Sequence, residues 1–412
     1  MTYDLIIKGG TVVDGLGDEP FIGDVAVIGH HIAAVGHDLG DATSVVDATG
    51  CYVAPGFVDI HTHYDGQATW DPEMAPSSWH GVTTVVMGNC GVGFAPAAPD
   101  RHDWLIGLME GVEDIPGSAL SEGMSWNWES FPEYLDALEE LPRAIDVATQ
   151  VPHGAVRAYV MGDRGAGNEA PTGSDIDAMA CIVEEGLRAG ALGFSTSRTV
   201  LHKSIEGELV PGTTADPEEL IGIARGMAKA GHGVFEMSSD LVPEWNEFDM
   251  SRETGLPVTF TALQSPVKAM NLDDQLAKMR SQNARGANIL AQIAMRGTGL
   301  ILGWRTSFNP FSFKPSWAEV AALNEADQVA KLADPAFKKK LLSETSVYPE
   351  SDLQFLGQLM AEGFEMQYAL TDDFNYEPTK EQSIAHLAAV DGASGAEYAY
   401  DLMTSNNGTG LI

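Results

Sequence analysis

Two histidines separated by one residue, His61 and His63, close a mostly apolar run in the stretch GFVDIHTHYD. In a strand, residues i and i+2 project to the same face, so both imidazoles would point the same way. Two neutral imidazoles at this spacing suit a divalent metal such as Zn²⁺. The competing reading is a pair of surface or core histidines, and the placement directly after an apolar run favours ligands. Asp65 reads as a loop residue near such a site rather than a third ligand. Cys90 lies in Val85-Val-Met-Gly-Asn-Cys-Gly91. A thiolate there could ligate a metal or bridge two, because a nearby cation depresses the thiol pKa; the alternative is a small buried residue in a glycine-rich turn. His153, in Gln150-Val-Pro-His-Gly154, is either a group facing the site or a strand cap. Arg198, ending Ser195-Thr-Ser-Arg198, carries a planar fork that matches a substrate carboxylate, with a surface salt bridge as the alternative. His31, His80, His102, His202 and His232 have no second partner at ligand spacing and read as structural or exposed. Cys51 and Cys181 read as packing residues.

For these side chains to meet, the strands that carry them must end at one edge. From Gly56 onward, apolar strand candidates fall at 57–61, 82–87, 145–151, 191–195, 233–237, 258–262 and 289–294. Helical patterns lie between several of them. Residues 174–189 place Ile176, Met179, Val183 and Leu187 on one face, with Ser174 as the expected N-cap. Residues 216–230 open with Asp216-Pro217 and end at Gly231, a helix start and stop. Apolar strands alternating with helices predict an α/β fold with a parallel sheet buried on both faces. Seven units at this spacing suggest a (β/α)₈ barrel whose last strand is not evident. Barrel enzymes keep their active sites at the C-terminal ends of the strands, where His61, His63, Cys90, His153 and Arg198 would gather. Residues 1–56 read as a small β unit punctuated by glycines. Residues 57–299 are the expected barrel. Residues 300–412 are rich in helix formers, as in Ala318–Val329 and Pro335–Leu342, and read as an insertion or lid.

The chain has 412 residues, with 23 Lys+Arg against 59 Asp+Glu and a net charge of −36. Such a surface repels phosphate backbones and anionic lipid, so neither nucleic acid nor membrane is an expected partner. Three cysteines in a chain this long do not indicate a disulfide framework. The opening MTYDLIIKGG lacks the basic and apolar segments of a signal peptide, and no apolar run reaches the roughly 18–20 residues of a membrane span. The expectation is a cytoplasmic protein acting on a small molecule.

The opening Tyr3-Asp-Leu-Ile-Ile-Lys-Gly-Gly-Thr-Val-Val-Asp14, followed by Ala54-Pro-Gly-Phe-Val-Asp-Ile-His-Thr-His63, resembles the amidohydrolase superfamily. The stretch His80-Gly-Val-Thr-Thr-Val-Val-Met-Gly-Asn-Cys-Gly-Val92 narrows the resemblance to the D-aminoacylase branch, the N-acyl-D-amino-acid deacylases. The resemblance implies a distorted barrel beside a small N-terminal β-sandwich portion. It also implies zinc and metal-dependent hydrolysis of a non-peptide C–N bond. His61 and His63 match the family's first-strand metal ligands, and Cys90 its metal-ligating cysteine. The sequence departs from the family at three points. The fifth and sixth strands, Val234-Phe-Glu-Met-Ser-Ser239 and Val258-Thr-Phe-Thr-Ala-Leu-Gln264, carry no histidine, with Glu236 as a substitute oxygen ligand; one ion rather than two is expected. No eighth strand with a general-base carboxylate is found, and Asp372-Asp373 reads as a loop. The family's chains continue past this one, so a C-terminally truncated member is expected. Two alternatives stand beside deacylation. One is a cyclic-amide hydrolase of hydantoinase or dihydroorotase type, although Gly193-Phe-Ser-Thr-Ser-Arg198 lacks the bridging lysine. The other is a catalytically silent homologue acting as a scaffold.

Overall fold

A computed structural model describes residues 2–239, 248–264, 271–294, 297, 299–306, 308–348, 354–373 and 375–412. The chain divides into two units, Met1–Ile293 and Ala294–Ile412. The first begins with five short strands separated by glycine turns: β1 (Tyr3–Val12), β2 (Phe21–Ile28), β3 (His31–Gly36), β4 (Ala42–Asp47) and β5 (Tyr52–Val53). They make one mixed sheet in the order β3-β2-β1-β4, with β5 also on β1. β2 runs antiparallel to β1, and β4 and β5 run parallel to it. Ile6, Val12, Val25 and Ala26 are buried, whereas Ile32, Val45 and Val46 stand exposed.

Seven further strands follow: β6 (Phe57–Asp59), β7 (Val82–Met87), β8 (Asp146–Pro152), β9 (Gly193–Arg198), β10 (Val234–Ser239), β11 (Val258–Thr261) and β12 (Ile289–Gln292). All pair in parallel, each with its sequence neighbour, from β6 to β12. Every strand expected from the sequence is present. Among the described residues no eighth strand joins the sheet. The described residues form the α/β, barrel-like fold with seven parallel strands.

The central strands are not uniformly apolar. In β9, Phe194 and Thr196 alternate with Ser195 and Ser197; in β10, Phe235 and Met237 alternate with Glu236 and Ser238. The register sets Phe235 opposite Phe194 and Glu236 opposite Ser195. One face therefore packs an aromatic layer, with the Phe194 and Phe235 rings 5.0 Å apart. The other face is buried yet polar. The edge strands differ, with Phe57 and Val58 of β6 and Leu290 of β12 exposed, because a strand at a sheet edge has a neighbour on one side only.

The helix Gly173–Ala189 starts one turn-residue pair earlier than its sequence pattern suggests: Thr172, not Ser174, is the N-cap, closing a capping box with Asp175. The helix Pro217–Ala230 begins after Asp216 and ends at Gly231, whose φ of 86° needs no Cβ. The second unit is helical and has its own core around Trp304, Phe311, Leu341, Tyr400 and Met403. Asp372 and Asp373 occupy an exposed turn there. Among the described residues no helix is long and apolar enough to cross a membrane.

Phe194 is fully buried at the centre of the parallel sheet. Phe194→Ala should cost about 3–5 kcal/mol by lost burial and the residual cavity. The check is the urea midpoint of the first unit's transition, and an unchanged midpoint would contradict this packing.

Candidate metal centre

The segment after β6 alternates as a strand does. Thr62 is buried, and both its amide and its hydroxyl donate to the Val86 carbonyl on β7, at 2.9 and 2.8 Å. His61 and His63 project to the other side, with ring centroids 5.5 Å apart. Their Nε2 atoms lie 3.2 Å and 3.7 Å from the Cys90 Sγ. All three donors lie within 4.8 Å of one another.

Cys90 is held in an unusual backbone state. Its φ is 57°, between Gly88 at 73° and Gly91 at 70°. A non-glycine residue in this region costs about 1–3 kcal/mol and persists only where its surroundings impose it. Those surroundings are explicit. The Asn89 amide donates to the Thr62 and Val86 carbonyls, and Gln150 donates to Asn89 at 2.7 Å. The Ser195 hydroxyl donates to the Gly88 carbonyl and accepts the Gly91 amide. The Gly154 amide donates to the Gly91 carbonyl at 2.9 Å. A Cβ on Gly88 would meet the Gln150 carbonyl oxygen at 2.2 Å, so the close approach requires glycine.

The polar face of β10 completes the surroundings. Glu236 accepts the Cys90 amide at 3.1 Å and the Ser238 hydroxyl at 3.1 Å, and it lies 4.0 Å from the His61 Nδ1. The Ser238 hydroxyl is also 3.1 Å from the Cys90 Sγ. The His61 Nδ1 meets the Gln292 Oε1 at 2.9 Å, which joins the end of β6 to the end of β12 across the sheet's open side. An amide oxygen accepts only, so Nδ1 carries the proton and Nε2 presents its lone pair towards Cys90.

Burial, then the neighbouring His61 and His202, holds His63 well below the usual histidine range, so the ring is neutral. Burial, then Glu236 and Glu113, pushes the Cys90 thiol well up. Burial raises Glu113 to about 7 and raises Glu236 as well. The partners of these two carboxyls are His63 and His61. The cluster thus holds buried acidic groups that favour their protonated forms beside the neutral His63 ring, and among the described residues no lysine or arginine is paired with either carboxyl. The two nitrogen–sulfur separations, 3.2 and 3.7 Å, lie either side of the roughly 3.5 Å that zinc bond lengths imply between a nitrogen and a sulfur ligand in a tetrahedral site. The residues fit a divalent ion of that kind.

The other sequence candidates lie differently. His153 is fully buried, with Nδ1 2.8 Å from the Thr196 Oγ1 and Nε2 2.9 Å from the Glu219 Oε1. Both ring nitrogens are engaged in a buried network that also includes Arg157 on Glu219. The Arg198 Nη1 donates to the Gly212 and Thr213 carbonyls at 2.9 and 2.7 Å, tying the strand end to the following loop. Asp65 lies in the turn that follows His63 and is fully buried there, and burial lifts its carboxyl to about 8. Cys51 and Cys181 are exposed and unpaired, not packing residues. Sequence spacing missed Glu113 and His202, which come within reach of Cys90. Both are distant from it in sequence, and no local pattern marks either one.

Known proteins share parts of this sequence and this fold. The model described as "Amidohydrolase family" matches residues 44–409. D-aminoacylase of Alcaligenes xylosoxydans xylosoxydans is 36% identical over 267 residues, which cover 63% of this chain and 50% of that protein. The chain spans about half the length of the curated relatives it matches. A solved D-aminoacylase structure, described as having a binuclear metal centre with one-metal activation and second-metal attenuation, superposes with a TM-score of 0.59. It is 27% identical over 83% of this chain and 70% of its own. In fold alone, the N-acyl-D-glutamate deacylase of Bordetella bronchiseptica, solved with zinc and a phosphonate inhibitor, also matches. Its TM-score is 0.58 at 22% identity, covering 97% of this chain and 69% of that one.

The His153–Glu219–Arg157 network gives a test of its own. Glu219→Gln leaves the buried Arg157 guanidinium without its counter-charge and should cost about 3–5 kcal/mol. Chemical denaturation of the variant measures it, and a shift no larger than that of Glu206→Gln, at an exposed position, would remove the network from the account.

Proposed function

The chain belongs to the amidohydrolase family, and on that premise we propose that it hydrolyses the amide C–N bond of N-acyl-D-amino acids with the help of a divalent metal ion. The observation that carries the reading is the convergence of the His61, His63 and Cys90 donor atoms at the C-terminal ends of β6 and β7. A thiolate beside two imidazoles favours zinc over harder ions, and zinc is the metal of this reading. The substrate class is taken from the curated D-aminoacylase relative. The partner is a small molecule, and the three unpaired cysteines fit the reducing cytoplasm.

When bound, the ion supplies Lewis acidity towards the scissile carbonyl and the attacking water. The chain's own residues prepare the ligands. Gln292 fixes the His61 tautomer by accepting from Nδ1. Glu236 anchors the Cys90 backbone through its amide and orients the Ser238 hydroxyl, which lies against the sulfur. His63 stays neutral through burial, so its lone pair needs no deprotonation before ligation. The buried polar face of β9 and β10 gives a low-dielectric floor in which these dipoles act with little screening.

The test is hydrolysis of paired N-acetyl-D- and N-acetyl-L-amino acids by zinc-loaded protein. Turnover of the D series is expected, and none of any N-acyl amino acid would overturn the reading. His61→Ala combined with His63→Ala should remove both metal and turnover; metal content equal to the parent chain would sink the ligand assignment. Gln292→Leu should weaken metal affinity by about 10–100-fold, the usual cost of losing a ligand's orienting partner, as read by competition with a chromophoric chelator.

A further inference from the structure

We infer that the helical second unit carries a binding site for a neutral saccharide. The site is a cavity of about 460 Å³ whose lining includes Trp304, Arg305, Asn309, Trp317, Glu325 and Gln328. All of these lie within the second unit, so the inference is independent of the metal centre and of the proposed hydrolysis. The walls come from the loop that carries Trp304, Arg305 and Asn309, the turn Pro315–Trp317 and the helix Glu325–Leu332. On that helix Glu325 and Gln328 are three residues apart and share a face.

Two of the lining side chains offer hydrogen bonds that the protein does not take up. Asn309 is fully buried, and its Oδ1 accepts the Phe311 amide at 2.9 Å. That bond fixes which end of the side chain is the oxygen. The Nδ2 amino group, with two donors, is left without a partner among the described residues. Gln328 is held the other way round: its Nε2 donates to the Val320 carbonyl at 3.3 Å, and its Oε1 has no partner among the described residues. The cavity therefore presents free donors and a free acceptor together. Buried amides are almost always bonded, so an open pair in one cavity marks a place where a ligand supplies the partners. A hydroxyl group both donates and accepts, and a ring with several hydroxyls serves both amides at once.

The aromatic wall narrows the class further. Trp304 is buried and Trp317 half-buried, and their rings stack with centroids 5.5 Å apart at 23°. Rings this close leave no slot between them for a flat heterocycle. Trp317 remains as a single platform, and the C–H bonds on one face of a sugar ring meet the negative face of an indole. Charge excludes an ionic ligand. The Arg305 Nη2 pairs with the Glu325 Oε1 at 2.8 Å on the exposed rim, so the lining as a whole is neutral. The chain's net charge of −36 repels anions such as sugar phosphates. A neutral ring with one apolar face and hydroxyls at its edge fits the platform, the amides and the charge together.

The test is isothermal titration of the full chain with glucose, N-acetylglucosamine, maltose and cellobiose, beside adenosine and glucose phosphate. At least one of the neutral sugars should bind once per chain with a Kd of about 1 mM or tighter. Trp317→Ala and Gln328→Leu should each weaken that binding about tenfold or more, by loss of the platform and of the acceptor. His61→Ala with His63→Ala should bind the sugar as the parent chain does. The inference is overturned if no neutral sugar saturates the chain, or if adenosine or glucose phosphate binds more tightly than every neutral sugar. Parent affinity in both single variants, or lost binding in the His61/His63 variant, would also overturn it, the latter by moving the sugar to the metal centre. If Trp317→Ala does not fold, Gln328→Leu decides alone.

Discussion

A single left-handed residue organises the site. Cys90 is held at a positive φ by hydrogen bonds from three different strands, and in that conformation its sulfur meets both histidines. Asn89, Gln150 and Ser195 supply that restraint from full burial, where a hydrogen bond left unmade would cost about 1–3 kcal/mol. These bonds offset the strain in the turn. Their positions depend in turn on the parallel register, which pairs Met87 with Thr149 and Pro152 with Ser195. Sheet, turn and donor cluster form one dependency: a slip of one residue in β8 or β9 would release Cys90.

Much of this was legible in the residues. All seven parallel strands follow from apolar runs of strand length, and the His-x-His spacing does put both rings on one side. What periodicity could not give was the polarity of the inner face. Ser195, Ser197, Glu236 and Ser238 interrupt runs that otherwise read as apolar, and only the register reveals that they line up. The fate of His153 was equally hidden, because its partner Glu219 lies 66 residues away on a helix packed behind the sheet. Glu113 and His202 escaped for the same reason. Their approach to Cys90 is set by where a helix stops and how a loop returns, and neither leaves a mark in local spacing. The Thr172 cap shows a smaller version of the problem: Thr172 and Ser174 are both good caps, and the reciprocal bond with Asp175 decides between them.

The electrostatics of the molecule repeat at two scales. The chain as a whole is strongly acidic, and the donor cluster is a concentrated local case. At the surface, water and salt screen the excess charge. In the cluster nothing screens it, so the acids hold their protons more tightly and the imidazoles stay neutral. The protein has in effect prepared a place whose natural guest is a cation, while its exterior draws cations towards it and repels anions.

The hydrogen bond from His61 to Gln292 spans 231 residues of sequence. Every strand pairing beneath it is between sequence neighbours, so the sheet can grow stepwise with only modest loop closures. The His61–Gln292 contact cannot form that way, since it requires the first and last strands to have curled towards each other. It is a long-range closure on a structure otherwise built from short-range steps. The ligand that this bond orients therefore takes its tautomer from the opposite edge strand, and any change that displaces β12 reaches the donor cluster through Gln292.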